Sequence, residues 1–138
     1  MPGMRVPVAT VLAVAGLVAV NCGGITDPSK NTIEPFSGTL PVGLSVEHRF
    51  SASKNGEISV KLTALAPTSN GLVGLDWVQA ANDGACTPTT YQQTFAQLNV
   101  PAIAGAIPSG KYCIIVYDDP RIGSFTVPQT YTISVSHP

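Results

Sequence analysis

The position of one cysteine indicates chemistry more directly than any other feature of this sequence. Cys22 and two glycines follow an apolar run, Val6–Val20, that is preceded by the cation Arg5. A cationic start, a short apolar centre and small residues are typical of an export signal. A cysteine at the end of such a signal is a site of lipidation. We therefore predict a signal peptide over residues 1–21 and an acyl anchor on Cys22, which would hold the protein at the membrane.

Alternatives to lipidation stay open at this boundary. The apolar run has 15 residues, whereas a helix that crosses a bilayer needs about 20, so a signal peptide is favoured over an uncleaved anchor. Asn21 stands where lipoprotein signals usually place Gly or Ala, which makes the lipidation motif degenerate. Ordinary cleavage, giving a soluble secreted protein, is the second alternative.

Cys86 and Cys113 remain in the rest of the chain. In an exported protein such a pair usually forms a disulfide. Closing this loop would restrict the unfolded chain and stabilise the fold by roughly 3.5 kcal/mol. Two reduced, buried thiols are the alternative. A zinc site is disfavoured, because two cysteines without a paired histidine supply too few ligands.

Two histidines, His48 and His137, are the only ones in the sequence. His48 lies between Val46 and Phe50 on an apolar face, which predicts a hydrogen-bonded, partly buried imidazole. His137 is the penultimate residue, where chains are usually mobile. Neither lies in a Gly-x-Ser-x-Gly or His-Glu-x-x-His motif. We therefore predict no enzyme; a hydrolase would need His48 to share a pocket with a carboxylate and a hydroxyl.

Acidic residues offer one weak metal hypothesis. Asp118 and Asp119 follow an apolar strand, and Asp83 from another loop could join them as oxygen ligands for Ca²⁺. Asp-Asp-Pro is also a good turn whose side chains cap local backbone amides. The turn is the favoured interpretation, so no cofactor is predicted.

Aromatic residues could form a ligand platform, but on strands they more often fill a core. Trp77 follows Val73 and Leu75 in phase and is predicted to pack in the core. Tyr91 lies in a Thr- and Gln-rich stretch, and we interpret it as the exposed ring to test first for ligand contact.

Charge excludes one class of partner. Of the 7 Lys+Arg only Arg5 lies in the predicted signal, which leaves 6 against 8 Asp+Glu, a net charge of −2. Nucleic-acid binding needs clustered cations, so no nucleic-acid partner is expected.

Period-two alternation predicts the elements. It covers segments 46–50, 58–63, 73–77 and 130–136, a nearly continuous apolar strand at 111–117, and shorter strands at 94–98 and 103–107. Asn55-Gly56 predicts a hairpin between the first two. We expect a flexible tether over 22–32 and one all-β domain over 33–138, an antiparallel β-sandwich of seven or eight strands.

The strand sequences resemble those of the bacterial pre-peptidase C-terminal domain from about Ile33 to His137. The similar segments are Phe36–Leu40, Glu47–Ser51, Gly56–Val60, Pro108–Asp118 and Tyr131–Val135. The resemblance implies a jelly-roll-like sandwich that is usually appended to secreted hydrolases and aids secretion, stability or substrate attachment. No peptidase precedes the domain in this sequence, which argues against the role of a protease accessory.

These observations favour a non-catalytic, lipid-anchored module of the bacterial cell envelope that binds a polysaccharide or an envelope protein. A purely structural envelope lipoprotein without a specific ligand is the main alternative, and an unrecognised secreted hydrolase is the weaker one.

Overall fold

The computed structural model describes residues 27–87 and 91–138, and for residues 91–93 it describes the backbone alone. This part of the chain is all-β, with eight strands and two single 3-10 turns, Pro28–Lys30 and Pro120–Ile122. The strands are β1 (Thr32–Leu40), β2 (Ser45–Ala52), β3 (Gly56–Ala66), β4 (Val73–Gln79), β5 (Tyr91–Ala96), β6 (Pro101–Ile107), β7 (Gly110–Tyr117) and β8 (Gln129–His137).

The strands form two four-stranded sheets, with the orders β1-β8-β3-β6 and β2-β7-β4-β5. All neighbouring strands are antiparallel. This interleaved order is that of a jelly roll. The antiparallel β-sandwich expected from the sequence is therefore confirmed, and the strand order, which the sequence left open, is now defined.

Alternation of side chains builds the core between the sheets. On β8, Tyr131, Ile133 and Val135 are all buried, while the residues between them face outward. The other strands contribute in the same phase, because every second side chain of a strand points to one face. The core includes Leu40, Phe50, Ile58, Val60, Leu62, Leu75, Ile103, Ile107, Ile114 and Val116.

The hairpin expected at Asn55-Gly56 is wrong, because β2 and β3 lie in different sheets. The turn is a crossover between the sheets. The Asn55 side chain does not shape a tight hairpin; its Oδ1 accepts the backbone N–H of Ser109 at 2.9 Å. The backbone N–H of Ser53 bonds the carbonyl of Pro138 at 3.0 Å. Long-range partners thus replace the local turn that the dipeptide favours.

The position of strand β7 explains why its sequence is continuously apolar. It lies between β2 and β4 in its sheet. On its outer face Cys113 is fully buried and packs with Val78 and Cys86. The disulfide Cys86–Cys113, with a Cα–Cα distance of 5.8 Å, confirms the predicted pairing.

The chain runs alternately up and down, so its connections fall at two ends. Four connections, 41–44, 67–72, 97–100 and 118–128, lie at what we call the loop end, and all four cross between the sheets. The disulfide end holds the turns 53–55, 80–87 and 108–109, residues 27–31 and Pro138. At this end the Asn31 side chain donates to the carbonyl of Glu57 at 2.9 Å.

The predicted signal peptide, Cys22 and most of the predicted tether lie outside the described residues. Over 27–87 and 91–138, no helix is both long and apolar enough to cross a membrane.

Candidate functional site

Exposed apolar side chains concentrate at the loop end. Seven large apolar side chains are exposed in the described residues. Phe95, near the end of β5, borders the loop end, and Ile33 is at the opposite end. The other five lie in the four loop-end connections: Val42, Leu44, Leu72, Val100 and Val127. Six of the seven therefore share one end of the molecule.

Asp118 ties two of these loops together. Its side chain is buried, and its Oδ2 accepts the backbone N–H of Gly43 at 2.8 Å. Its Oδ1 accepts the backbone N–H of Phe125 at 3.2 Å. The backbone N–H of Asp118 also donates to the carbonyl of Leu44 at 3.0 Å. The turn that carries Val42 and Leu44 is thus fixed to the long loop 118–128.

Gln129 joins the long loop to loop 67–72. This residue is fully buried. Its Oε1 accepts the backbone N–H of Thr68 at 2.9 Å, and its Nε2 donates to the carbonyl of Val127 at 2.8 Å. Because a buried amide is stable only with its hydrogen bonds made, Gln129 holds both loops in one arrangement.

Phe125 closes the contact between the same two loops. Its ring is buried against Gly71. A Cβ at Gly71 would lie 2.5 Å from Cε1 of that ring, so only glycine allows this close approach. Loops 41–44, 67–72 and 118–128 therefore form one packed body.

The loop end is poor in charge. Loops 41–44, 67–72 and 97–100 contain no charged residue, and loop 118–128 adds Arg121 and two aspartates. Asp119 forms a salt bridge with Arg121, and its Oδ1 accepts the Arg121 backbone N–H at 2.8 Å. Hydrogen bonds from the Arg121 side chain hold the pKa of Asp119 below its usual value.

The three calcium candidates do not share one place. Asp118 accepts hydrogen bonds from backbone amides, and Asp119 pairs with Arg121. Asp83 lies at the disulfide end, where it accepts the backbone N–H of Ala85 at 2.9 Å. The length of β7, ~27 Å for eight residues, separates Asp83 from the other two. In the described part of the chain no three metal-binding side chains cluster. Asp83 and Asp119 cap local backbone amides as the turn interpretation expects, whereas Asp118 accepts from Gly43, 75 residues away.

His48 is the partly buried imidazole that the sequence predicts. Its Nε2 lies 2.6 Å from the hydroxyl of Tyr131, and its ring stacks on Phe36 with 5.1 Å between centroids. Burial lowers the pKa of His48 and raises the pKa of Tyr131 to about 12. The imidazole and the phenol share one short hydrogen bond. In the described part of the chain the ring contacts the hydroxyl of Tyr131 and the ring of Phe36.

The expectation of a mobile chain end at His137 is wrong. His137 is 3% exposed, and its Nε2 lies 3.0 Å from Oε1 of Glu34. Its ring packs on Phe50 with 4.9 Å between centroids. β8 continues to this residue because Thr32 of β1 pairs with it. The C-terminal strand is thus held to its last residues.

Aromatic side chains divide between core and surface. Trp77 is partly buried against the core, 6.0 Å from the ring of the buried Tyr112, which confirms its predicted packing. Tyr117 lies on the outer face of its sheet and covers Gly74. Tyr91 pairs through its backbone with Val78. Its side chain lies outside the described part, so ligand contact by Tyr91 stays a prediction.

Sequence reasoning missed the loop end, although one signal was present. Val42 and Leu44 stand in Pro-Val-Gly-Leu, and Leu72 and Val127 also stand beside turn-forming residues. Turns are normally polar. Apolar residues in several turns were therefore the available indication of an exposed apolar surface at this end.

Comparisons with known proteins add little to this geometry. No protein-family profile and no curated protein matches the sequence. Among solved structures, the chain is similar to the periplasmic inhibitor of g-type lysozyme, PliG, from Aeromonas hydrophila. The identity is 21% and the TM-score 0.46, and the match covers 78% of this chain and 88% of that one. At this TM-score the likeness carries no functional argument.

Proposed function

We propose that this protein is an exported, non-catalytic binding module that docks a partner protein on its loop end. The observation that carries the proposal is the grouping of six of the seven exposed large apolar side chains at that end. A group of exposed apolar side chains at one end of a domain is a candidate interaction site. The partner is expected to present an apolar surface of low charge.

The chemistry of the loop end favours a protein over a polysaccharide. The centres of protein–protein interfaces are depleted in charge and more apolar than other surface. Aliphatic side chains such as Leu44, Leu72 and Val127 match that composition. A polysaccharide surface is rich in hydroxyl groups, which lose hydrogen bonds to water when they are buried against aliphatic carbon.

The hydrogen bonds beneath the surface support the same proposal. Asp118 and Gln129 fix the loops before any partner arrives. A surface ordered in the free protein loses less conformational entropy on association. The exposed apolar residues are thus presented by a preorganised body.

Export is supported by the disulfide. Structural disulfides form and persist mainly in oxidising compartments, and Cys86–Cys113 is formed here. The proposal includes cleavage after residue 21, a tether over 22–32 and an acyl anchor on Cys22, with soluble secretion as its alternative. Kinship with pre-peptidase C-terminal domains also remains a proposal.

The anchor is tested by Cys22→Ser. We expect the variant to leave the membrane fraction, because the acyl chains can no longer attach. Retention of Cys22→Ser in the membrane fraction would contradict the acyl anchor.

Docking is tested by photo-crosslinking in the native host. A photoreactive residue is placed at Leu44 or Val127 and, as the matched control, at Ile33, which is 66% exposed at the other end. We expect one discrete adduct of the same mass from positions 44 and 127, and none from 33.

The identity of the adduct decides between the alternatives. When Leu72→Ser is added to the variants with a photoreactive residue at position 44 or 127, it should remove the adduct while leaving thermal stability near that of the parent. Adducts with glycan would replace the protein partner by a polysaccharide. Blank results at all three positions would favour a purely structural lipoprotein.

A further inference from the structure

The two sides of the sandwich differ in how their strand edges are protected. β1 and β2 form one side, and β6 and β5 form the other. An exposed edge strand offers unpaired backbone groups to another chain, and proteins guard such edges with proline or charge. β1 carries Pro35, and β2 carries Glu47 and Arg49, so the first side is guarded.

The second side lacks these guards. After Pro101, β6 contains neither a charged residue nor a proline, and the same holds for all of β5. β6 pairs with β3 on one side. Within residues 27–87 and 91–138 no strand pairs with its other edge. Its exposed residues 104–106 are Ala-Gly-Ala, which let another backbone approach closely.

The sequence of β6 is self-complementary. Residues 103–107 read Ile-Ala-Gly-Ala-Ile, which is the same in both directions. An antiparallel pair of two such strands, centred on Gly105, places Ile103 opposite Ile107 of the other copy. Residues directly opposite in an antiparallel pair share a face. The inward side chains of one copy therefore continue the inward row of the other.

We propose that two copies of this chain pair through β6, antiparallel and centred on Gly105, to join their four-stranded sheets into one of eight strands. The contact is isologous, as a two-fold dimer requires. The two-fold axis, perpendicular to the sheet, also sets β5 beside its counterpart. Both unguarded edges are covered by one symmetry operation.

Gly105 marks the place that the second copy fills. It faces inward, opposite the buried Ile58, yet it is exposed and a Cβ there would meet no atom within 4 Å. The inner layer therefore has a gap between Ile103 and Ile107 at the edge of the sandwich. Pairing with a second β6 covers this gap and the flanks of both isoleucines.

Antiparallel pairing points the two loop ends in opposite directions, so the dimer is bivalent. Anchoring both copies in one membrane is compatible with this geometry. The ten residues from Cys22 to Asn31 reach up to ~33 Å when extended. Because a nine-residue strand is ~30 Å long, an extended tether can reach along the whole length of the sandwich.

The test is a charge at the symmetry axis. In Gly105→Lys two like charges would meet in the dimer, whereas the monomer has room for the side chain and Gly105 is not in the left-handed region of φ. Analytical ultracentrifugation of the exported protein in mild detergent should show a concentration-dependent dimer for the parent and a monomer for Gly105→Lys. Thr39→Lys, on the exposed face of the guarded strand β1, is the control and should still dimerise.

A charge pair then tests the register. Gly105→Lys and Gly105→Glu, each expected to be monomeric, should form a mixed dimer when combined, because opposite charges then face each other. A parent that stays monomeric at all concentrations would overturn the proposal. So would a Gly105→Lys variant that dimerises like the parent, or a mixture of Lys and Glu variants that remains monomeric.

Discussion

The two ends of the sandwich are held together by different means. At the disulfide end a covalent bond links Cys86 to Cys113, and His137 pairs with Glu34. At the loop end the buried side chains of Asp118 and Gln129 bind backbone groups of three loops. The exposed apolar residues lie over the second arrangement. The proposed binding surface is thus supported from beneath by hydrogen bonds, whereas the opposite end is stapled by a disulfide.

Removing the staple gives the largest expected loss of stability. The Cys86→Ala, Cys113→Ala double variant should lose about 3.5 kcal/mol of unfolding free energy, because the unfolded chain regains the freedom of the closed loop. Chemical denaturation, with a reduced parent as control, measures the loss. Photo-crosslinking from position 44 should persist below the unfolding transition. An unchanged unfolding free energy would mean that the staple does not constrain the chain.

Breaking the Asp118 clamp should affect both stability and binding. Asp118→Ala leaves the backbone N–H of Phe125 buried without this acceptor and frees the exposed turn at Gly43, at an expected cost of about 1–3 kcal/mol. The adduct from position 44 should fall in parallel. Asp83→Ala, which removes one exposed turn contact, is the matched control and should cost less than about 0.5 kcal/mol. Equal losses from the two variants would show that the loop end is not specially fixed.

Gln129→Met removes the second clamp of the loop end while leaving Asp118 in place. Methionine fills similar space but cannot bond the backbone of Thr68 or Val127. We expect a loss of about 1–2 kcal/mol and faster amide hydrogen exchange in loop 67–72, with exchange at turn 53–55 unchanged. Uniformly faster exchange at both ends would contradict a local role for Gln129.

The smallest expected effect depends on pH and on His48, whose ring lies between the edge strands β1 and β2. Burial holds the folded pKa of His48 below the usual 6.5. The unfolded state then binds the proton more readily, so stability is full above about pH 6.5 and falls as the pH drops through the folded pKa. His48→Gln should lose less stability between pH 7 and pH 5 than the parent. A parallel decline in both proteins would assign the pH dependence to other groups.

Strand positions were predictable because alternation is a local property. Val73, Leu75 and Tyr131 face the core as their spacing indicates. Strand pairing was not predictable in the same way: Asn55-Gly56 favours a hairpin locally, yet its strands belong to opposite sheets. Pairing is decided by residues far apart in the sequence.

The loop end shows the same limit for side chains. Asp118 looked like a metal ligand or a turn residue, and its bond to Gly43 joins positions 75 residues apart. Gln129 carries no signal in the sequence that distinguishes it from any surface glutamine. Buried hydrogen bonds to loops depend on the completed fold, so neither clamp could be derived from local pattern.

The scarcity of charge at the loop end has a kinetic consequence. Without complementary fields to steer the encounter, association proceeds near the unsteered rate of roughly 10⁵–10⁶ M⁻¹s⁻¹. Screening by salt then has little to weaken. Recognition by this surface should therefore be nearly independent of ionic strength, so the proposed binding would be the same in dilute and in salty media.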